Sequence, residues 1–158
     1  MRLTSVRKID SPQDPDRVRL VGDVVYDTPG MRPESYWFDV PDRCAEGLSE
    51  TGDPWLVALA PLASMLGEPL QLSRPVDATL VENVRELMRV WRRWHVGFRV
   101  VPIRADALPV SEDSSRSKTA LFFSGGVDSF FTALTYEREA DIPRRRAIDD
   151  LLWIHGFD

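Results

Sequence analysis

Two serines, two glycines and an aspartate stand together in the hexapeptide Ser124-Gly125-Gly126-Val127-Asp128-Ser129. Hydroxyls and free backbone amides suit phosphate oxygens, and a carboxylate beside phosphates is repelled unless a metal lies between them. The glycines let the backbone turn through conformations closed to other residues and approach a ligand without a Cβ in the way. Ahead of the hexapeptide, Leu121, Phe122 and Phe123 predict a short buried strand. After it, Phe130, Phe131, Leu134 and Thr135 recur at helical spacing. Strand, glycine turn and helix N-terminus aim unpartnered N–H groups and the helix dipole into the turn, which suits a phosphate. Two alternatives use the same residues: an ordinary βα turn with glycine for geometry alone, and a nucleotide binder without turnover.

The hexapeptide resembles the SGGxDS signature of the PP-loop ATP pyrophosphatases, with all five fixed positions present. That superfamily includes GMP synthetase, asparagine synthetase, NAD synthetase, tRNA-thiolating enzymes and 7-cyano-7-deazaguanine synthase. Its members cleave ATP to AMP and pyrophosphate and leave an adenylated substrate for a nucleophile. No Gly-Lys-Ser/Thr follows, so the loop is not a Walker A motif and pyrophosphate is the favoured group. The resemblance implies that the Ser124 and Ser129 hydroxyls, with the Gly125, Gly126 and Val127 amides, hold phosphates. It makes Asp128 the Mg²⁺ ligand and Asp128 and Ser129 the catalytic pair. The run Ile148 to Asp158 is similar to a group of PP-loop proteins whose second strand ends in His-Gly-Phe-Asp. There His155, Gly156 and Asp158 would contact the nucleotide: Gly156 by close approach, Asp158 through a ribose hydroxyl or a metal, and His155 by catalysis, orientation or simple packing. The resemblance covers residues 117–158, and the N-terminal region is similar to that group's leader domain more loosely.

The elements that must position this loop follow from the rest of the chain. It has 158 residues, 43% hydrophobic content with five Trp and seven Phe, and a net charge of −5. That composition predicts a globular chain of one domain or two small ones and speaks against a surface built wholly to clamp nucleic acid. The single cysteine, Cys44, excludes an internal disulfide and a cysteine-cluster metal site. The first residues lack the apolar core of a signal peptide, and no stretch approaches a membrane span, so the expected compartment is the cytoplasm.

Residues 1–16, with Pro12 and Pro15, read as a loose start. A strand from Arg17 to Tyr26 and another from Tyr36 to Val40, stopped by Pro41, predict a hairpin with a wide loop. Tyr36 and Trp37 suit cross-strand packing, with a ligand site as the alternative. Asp53 to Leu66 predicts a helix with Asp53 as N-cap, Pro54 in the first turn, Gly67 at its end and Pro61 kinking or splitting it. Being apolar nearly all round, it is expected to be buried on every side. Leu70 to Ser73 is a short strand. Asp77 to Trp94 is the clearest helix, with a stripe of Leu80, Val81, Val84, Leu87, Met88 and Trp91. Arg89, Arg92 and Arg93 suit its C-terminal dipole, and RNA contact is the alternative. His95 follows as a cap or packing residue. Phe98 to Ile103 is a strand placed at an edge by Pro102. Polar, serine-rich residues 106–118 predict a linker. Beyond the motif helix, Pro143 ends any helix, Arg144, Arg145 and Arg146 form a basic connection, and Leu151 to Ile154 predicts a strand parallel to the first.

The expected architecture is therefore α/β. A small N-terminal α+β domain (residues 1–105: β-hairpin, two helices, further strands) precedes a linker (106–118) and the start of a Rossmann-like, HUP-type parallel sheet (119–158). The family's later segments have no counterpart, so the chain reads as the front portion of a PP-loop protein that leans on its own N-terminal domain, a second copy or a partner chain to complete the sheet. The expected function is an AMP-forming, ligase-type ATP pyrophosphatase. It would use ATP and Mg²⁺ to adenylate a carboxylate, amide or carbonyl oxygen, with a nitrogen nucleophile supplied from elsewhere. The acceptor is an unidentified small molecule, with tRNA as the alternative; a noncatalytic module or inactive fragment is the competing reading.

Overall fold

The computed structural model describes residues 1–108, 119–138 and 148–153. The chain divides into two compact units, Met1–Val110 and Ser111–Asp158. Both belong to a mixed α/β protein. The expectations placed on residues 109–118 of the linker, on Pro143, Arg144, Arg145 and Arg146, and on residues 154–158 lie outside the described residues.

The first unit is a five-stranded mixed sheet in the order β3-β2-β1-β4-β5. Its strands are β1 (Arg2–Asp10), β2 (Arg17–Val25), β3 (Glu34–Pro41), β4 (Leu70–Leu72) and β5 (Ile103–Arg104). β2 pairs antiparallel with both β1 and β3, whereas β1, β4 and β5 run parallel. The wide hairpin joining β2 and β3 is present as expected. A 3-10 helix, Asp42–Gly47, follows β3 and carries the exposed Cys44.

The first correction concerns residues 1–16. Arg2–Asp10 is not a loose start but the middle strand of the sheet. The pairing shifts between Leu3 and Ser5, so a bulge separates the buried Leu3 from the buried Val6 by three positions instead of two. That broken alternation hides the strand, because only an unbroken period of two reads as a half-buried strand.

Helix α1 (Asp53–Leu66) and helix α2 (Ala78–Trp94) supply the other side of the core. In α1, Trp55, Leu56, Leu59, Ala60, Ala63 and Ser64 are buried at helical spacing, while Val57 and Met65 are exposed. The helix therefore has one covered face, not burial on every side. Its N-cap is Gly52; Asp53 is the first helical residue, and its carboxylate accepts from the Asp77 amide at 2.8 Å. α1 runs unbroken through Pro61. The carbonyl that Pro61 cannot satisfy belongs to Val57, which lies on the exposed side of the helix. Gly67 closes the helix at φ 72°.

In α2, Asp77 caps the N-terminus by accepting from Leu80 N at 2.9 Å. Val84 and Met88 are buried, and Leu80, Val81 and Trp91 pack against the core, but Leu87 is exposed at the margin of the stripe. His95 is the C-cap, with its ring 5.8 Å from that of Phe98. The strand expected over residues 98–103 is only Ile103–Arg104, at the sheet edge. Arg99 is diverted instead to the helix: its amide donates to the Ser64 carbonyl at 2.9 Å and its carbonyl accepts from the Ser64 hydroxyl.

Two contacts hold the sheet against these helices. A Cβ on Gly22 would meet the Trp55 ring at 2.5 Å and Leu3 at 2.8 Å, so only glycine lets the indole lie against β2. Glu68, 5% exposed, accepts from the Asp27 and Thr28 amides, the Thr28 hydroxyl and the Met1 ammonium. The ammonium also donates to Asp27 and the Pro69 carbonyl. Burial by itself would raise the Glu68 carboxyl. The hydrogen bonds from Asp27, Thr28 and the ammonium outweigh that and hold it at about 2.

The second unit shows β6 (Ala120–Phe122), α3 (Val127–Arg138) and β7 (Asp150–Leu152), with β6 and β7 parallel. The expected burial of the first strand is not found. Phe122 is 68% exposed, and Phe131, Leu151, Leu152 and Trp153 are exposed as well. Only two strands are described, so their side chains lack a covering layer.

Gly22→Ala is expected to destabilise the first unit by about 1–3 kcal/mol, because Trp55 and Leu3 must both move; urea unfolding of the full chain followed by tryptophan fluorescence measures it. Glu68→Gln is expected to cost about 2 kcal/mol near neutral pH. A depressed carboxyl contributes its stability above its unfolded value and loses it on acidification. The native advantage over Glu68→Gln should therefore shrink as pH falls from 4.5 towards about 2, read from unfolding midpoints across that range.

Candidate functional site

The phosphate-type loop is built by three adjacent pieces of the second unit. β6 ends at Phe122, and Phe123 N donates to the Leu152 carbonyl at 2.8 Å, tying the loop's entry to β7. Gly125 then takes φ +77°, a left-handed conformation that a side chain makes costly, and a Cβ there would meet nothing within 4 Å. Helix α3 begins two residues later. Its first backward bond runs from Phe130 N to the Gly126 carbonyl at 3.1 Å, so the amides before Phe130 have no helical acceptor.

The side chains of the hexapeptide converge as well. Ser124 Oγ accepts from Gly126 N at 3.3 Å and lies 3.4 Å from Ser129 Oγ. The Ser129 hydroxyl donates to the Gly126 carbonyl at 2.8 Å, and Ser129 is buried. Phe123 and Phe130 meet edge to face with centroids 4.9 Å apart, clamping the strand end to the helix start. Val127 and Asp128 project outward and are exposed. Asp128 stands in the first turn of α3, where a carboxylate complements the helix dipole.

The structure thus brings Ser124, Gly125, Gly126, Val127, Asp128 and Ser129 into one turn at the carboxyl end of a parallel strand. His155, Gly156 and Asp158 lie outside the described residues. Among the described residues no three His, Cys, Asp or Glu side chains gather as a metal site. Compared with known proteins, the chain matches no family model, no curated protein and no solved structure. Among the described residues no helix is long and apolar enough to cross a membrane.

Polar networks in the first unit were not apparent in the sequence. Arg19, buried beneath Trp37 at 4.7 Å from the ring centroid, makes two 2.7 Å bonds to Asp39. These bonds raise the guanidinium's pKa and lower that of Asp39. Tyr26 and Tyr36 share a 2.5 Å hydroxyl contact and both donate to Glu34. Burial raises both phenols, so neither ionises near neutral pH. Tyr36 is thus taken up by packing against the core, whereas Trp37 lies over Arg19 and is 54% exposed. The signal available in the sequence was the register: Arg19 faces Asp39 across β2 and β3.

Gly125→Ala tests the loop's backbone alone, since its methyl group enters open space. It is expected to cost about 1–2 kcal/mol locally, seen as faster amide hydrogen exchange through the first turn of α3 with the first unit unchanged.

Proposed function

We propose that the second unit is the nucleotide-gripping part of a PP-loop ATP pyrophosphatase with a Rossmann-like parallel sheet. The observation that carries this reading is the turn at Gly125. A strand delivers Ser124 to a left-handed glycine with open space above it, and a helix starts at once, its first amides without a helical acceptor and that of Gly126 resting on Ser124 Oγ. Beside those amides stand the Ser124 and Ser129 hydroxyls, 3.4 Å apart. A pyrophosphate tail needs this set of donors, and it needs no lysine.

Within this reading, the amides of residues 125–127 and the two hydroxyls bind and orient the β- and γ-phosphates. Ser129 turns its proton from the Gly126 carbonyl towards phosphate. Asp128 would hold Mg²⁺, which when bound offsets charge on the leaving pyrophosphate. A single exposed carboxylate fits that ion, which takes one or two protein carboxylates and completes its shell with phosphate and water. The reaction class is AMP-forming ligation in the cytoplasm. An acceptor carboxylate, amide or carbonyl oxygen takes AMP, and a nitrogen nucleophile displaces it. The acceptor is a small molecule or, alternatively, tRNA. His155, Gly156 and Asp158 belong to the same proposal as contacts to the nucleoside. The exposed apolar side chains of β6 and β7 support completion of the sheet by a second copy or a partner chain. A second reading is a nucleotide-binding module without turnover, for which the same amides and hydroxyls suffice.

The test is a titration of the ¹⁵N-labelled full chain. ATP with Mg²⁺, and pyrophosphate alone, are expected to shift the amides of residues 124–130; AMP is expected to leave them in place. Ser124→Ala should weaken ATP about tenfold or more, a loss of about 1.4 kcal/mol. Asp128→Asn should abolish Mg²⁺-dependent pyrophosphate release while keeping the fold. No loop shift with either ATP or pyrophosphate overturns the proposal. Loop binding without AMP or pyrophosphate as products selects the noncatalytic reading.

A further inference from the structure

A second polar opening lies in the first unit, where two parallel strands part company. β4 and β5 pair only at Leu70 with Ile103 and Gln71 with Arg104. The next contact is an isolated parallel bridge between Val76 and Ala107. Residues 72–75 span the interval on one side, and residues 105 and 106 span it on the other. The longer side bends at Ser73 and Arg74. The bend is anchored away from the gap: the Pro75 carbonyl accepts from Gly52 N at 2.8 Å, and the Arg74 guanidinium donates to the Val6 carbonyl at 3.2 Å. What opens between the strands is a cleft of about 470 Å³, lined by Gln71, Leu72, Ser73, Arg104, Ala105 and Asp106.

Its chemistry follows from strand alternation. Leu70, Leu72 and Ile103 are buried in the core, whereas Gln71 and Arg104 are exposed. Ser73 and Asp106 lie beyond the ends of β4 and β5, are exposed, and line the same cleft as Gln71 and Arg104. The lining thus holds one guanidinium, that of Arg104, and one carboxylate, that of Asp106. Neither forms an ion pair with the other or with any described residue. Elsewhere in this unit, Arg7 pairs with Asp23 and Arg19 with Asp39. Two opposite, unspent charges in one cleft, with an amide and a hydroxyl beside them, complement a molecule carrying both signs. The guanidinium fork matches a carboxylate, and the Asp106 carboxylate accepts from an ammonium. The position, at the carboxyl ends of parallel strands that diverge, is where open α/β sheets hold ligands.

We infer that this cleft binds the ammonium-and-carboxylate head of a free α-amino acid, with Arg104 on the carboxylate and Asp106 on the ammonium. Ser73 and Gln71 supply neutral hydrogen bonds. The inference is independent of nucleotide binding at Gly125 and goes beyond it.

The full chain, ¹⁵N-labelled, is titrated with L-alanine, with acetate and with ethylammonium. L-Alanine is expected to produce saturable shifts at Gln71, Ser73, Arg104 and Asp106, leaving residues 124–130 unmoved. Acetate and ethylammonium should each bind about tenfold more weakly. Arg104→Ala should abolish the acetate response, and Asp106→Asn the ethylammonium response. Both residues are exposed, so melting curves of the variants should match the parent. The inference fails if L-alanine causes no shift at tens of millimolar, if it binds no better than acetate, or if neither substitution weakens it.

Discussion

The seat of the Met1 ammonium on Glu68 is the constraint from which the first unit is organised. Glu68 lies just past the end of α1, and its carboxylate gathers the start of β1 and the chain beyond β2 into one node. A carboxylate removed from water is costly unless its oxygens are fully used. Here amides, a hydroxyl and an ammonium use them. The node fixes where β1 begins, and β1 is the strand on which the antiparallel hairpin and the parallel strands both depend. Gly22 and Trp55 complete the arrangement by letting α1 approach β2 closely.

The second unit is governed by backbone conformation instead. A single residue at positive φ turns a strand end into a helix start within five positions, and nearby groups are arranged to hold that turn open. Ser124 supports the Gly126 amide, Ser129 supports the Gly126 carbonyl, and two phenylalanine rings brace the elements on either side. The first unit is stabilised by buried packing and one saturated carboxylate. The second concentrates its local bonding in a loop whose surroundings are open.

Much of this was legible in the residues. The hairpin, both long helices and the strand–glycine–helix order of residues 120–138 follow from periodicity and turn chemistry. β1 did not, because its bulge places Leu3 and Val6 out of phase and prolines follow at once. β5 was read too long, because residues 98–101 are apolar enough for a strand, but Arg99 answers to Ser64. Asp53 looked like a cap; one residue's difference makes it a bridge to Asp77 instead. The Gly125 loop was visible because its chemistry is contiguous. The cleft was not, because Gln71, Ser73, Arg104 and Asp106 come together only through an unequal interval between two strands, and no spacing in the sequence records that.

The bare flanks of β6 and β7 bear on how the protein behaves at high concentration. A short parallel ribbon with Phe122, Leu151 and Trp153 open to water offers both sticky side chains and free edge groups for unplanned association. Colloidal behaviour in storage would then follow from this ribbon on the smaller unit together with the exposed Trp94 and Val96 of the larger one.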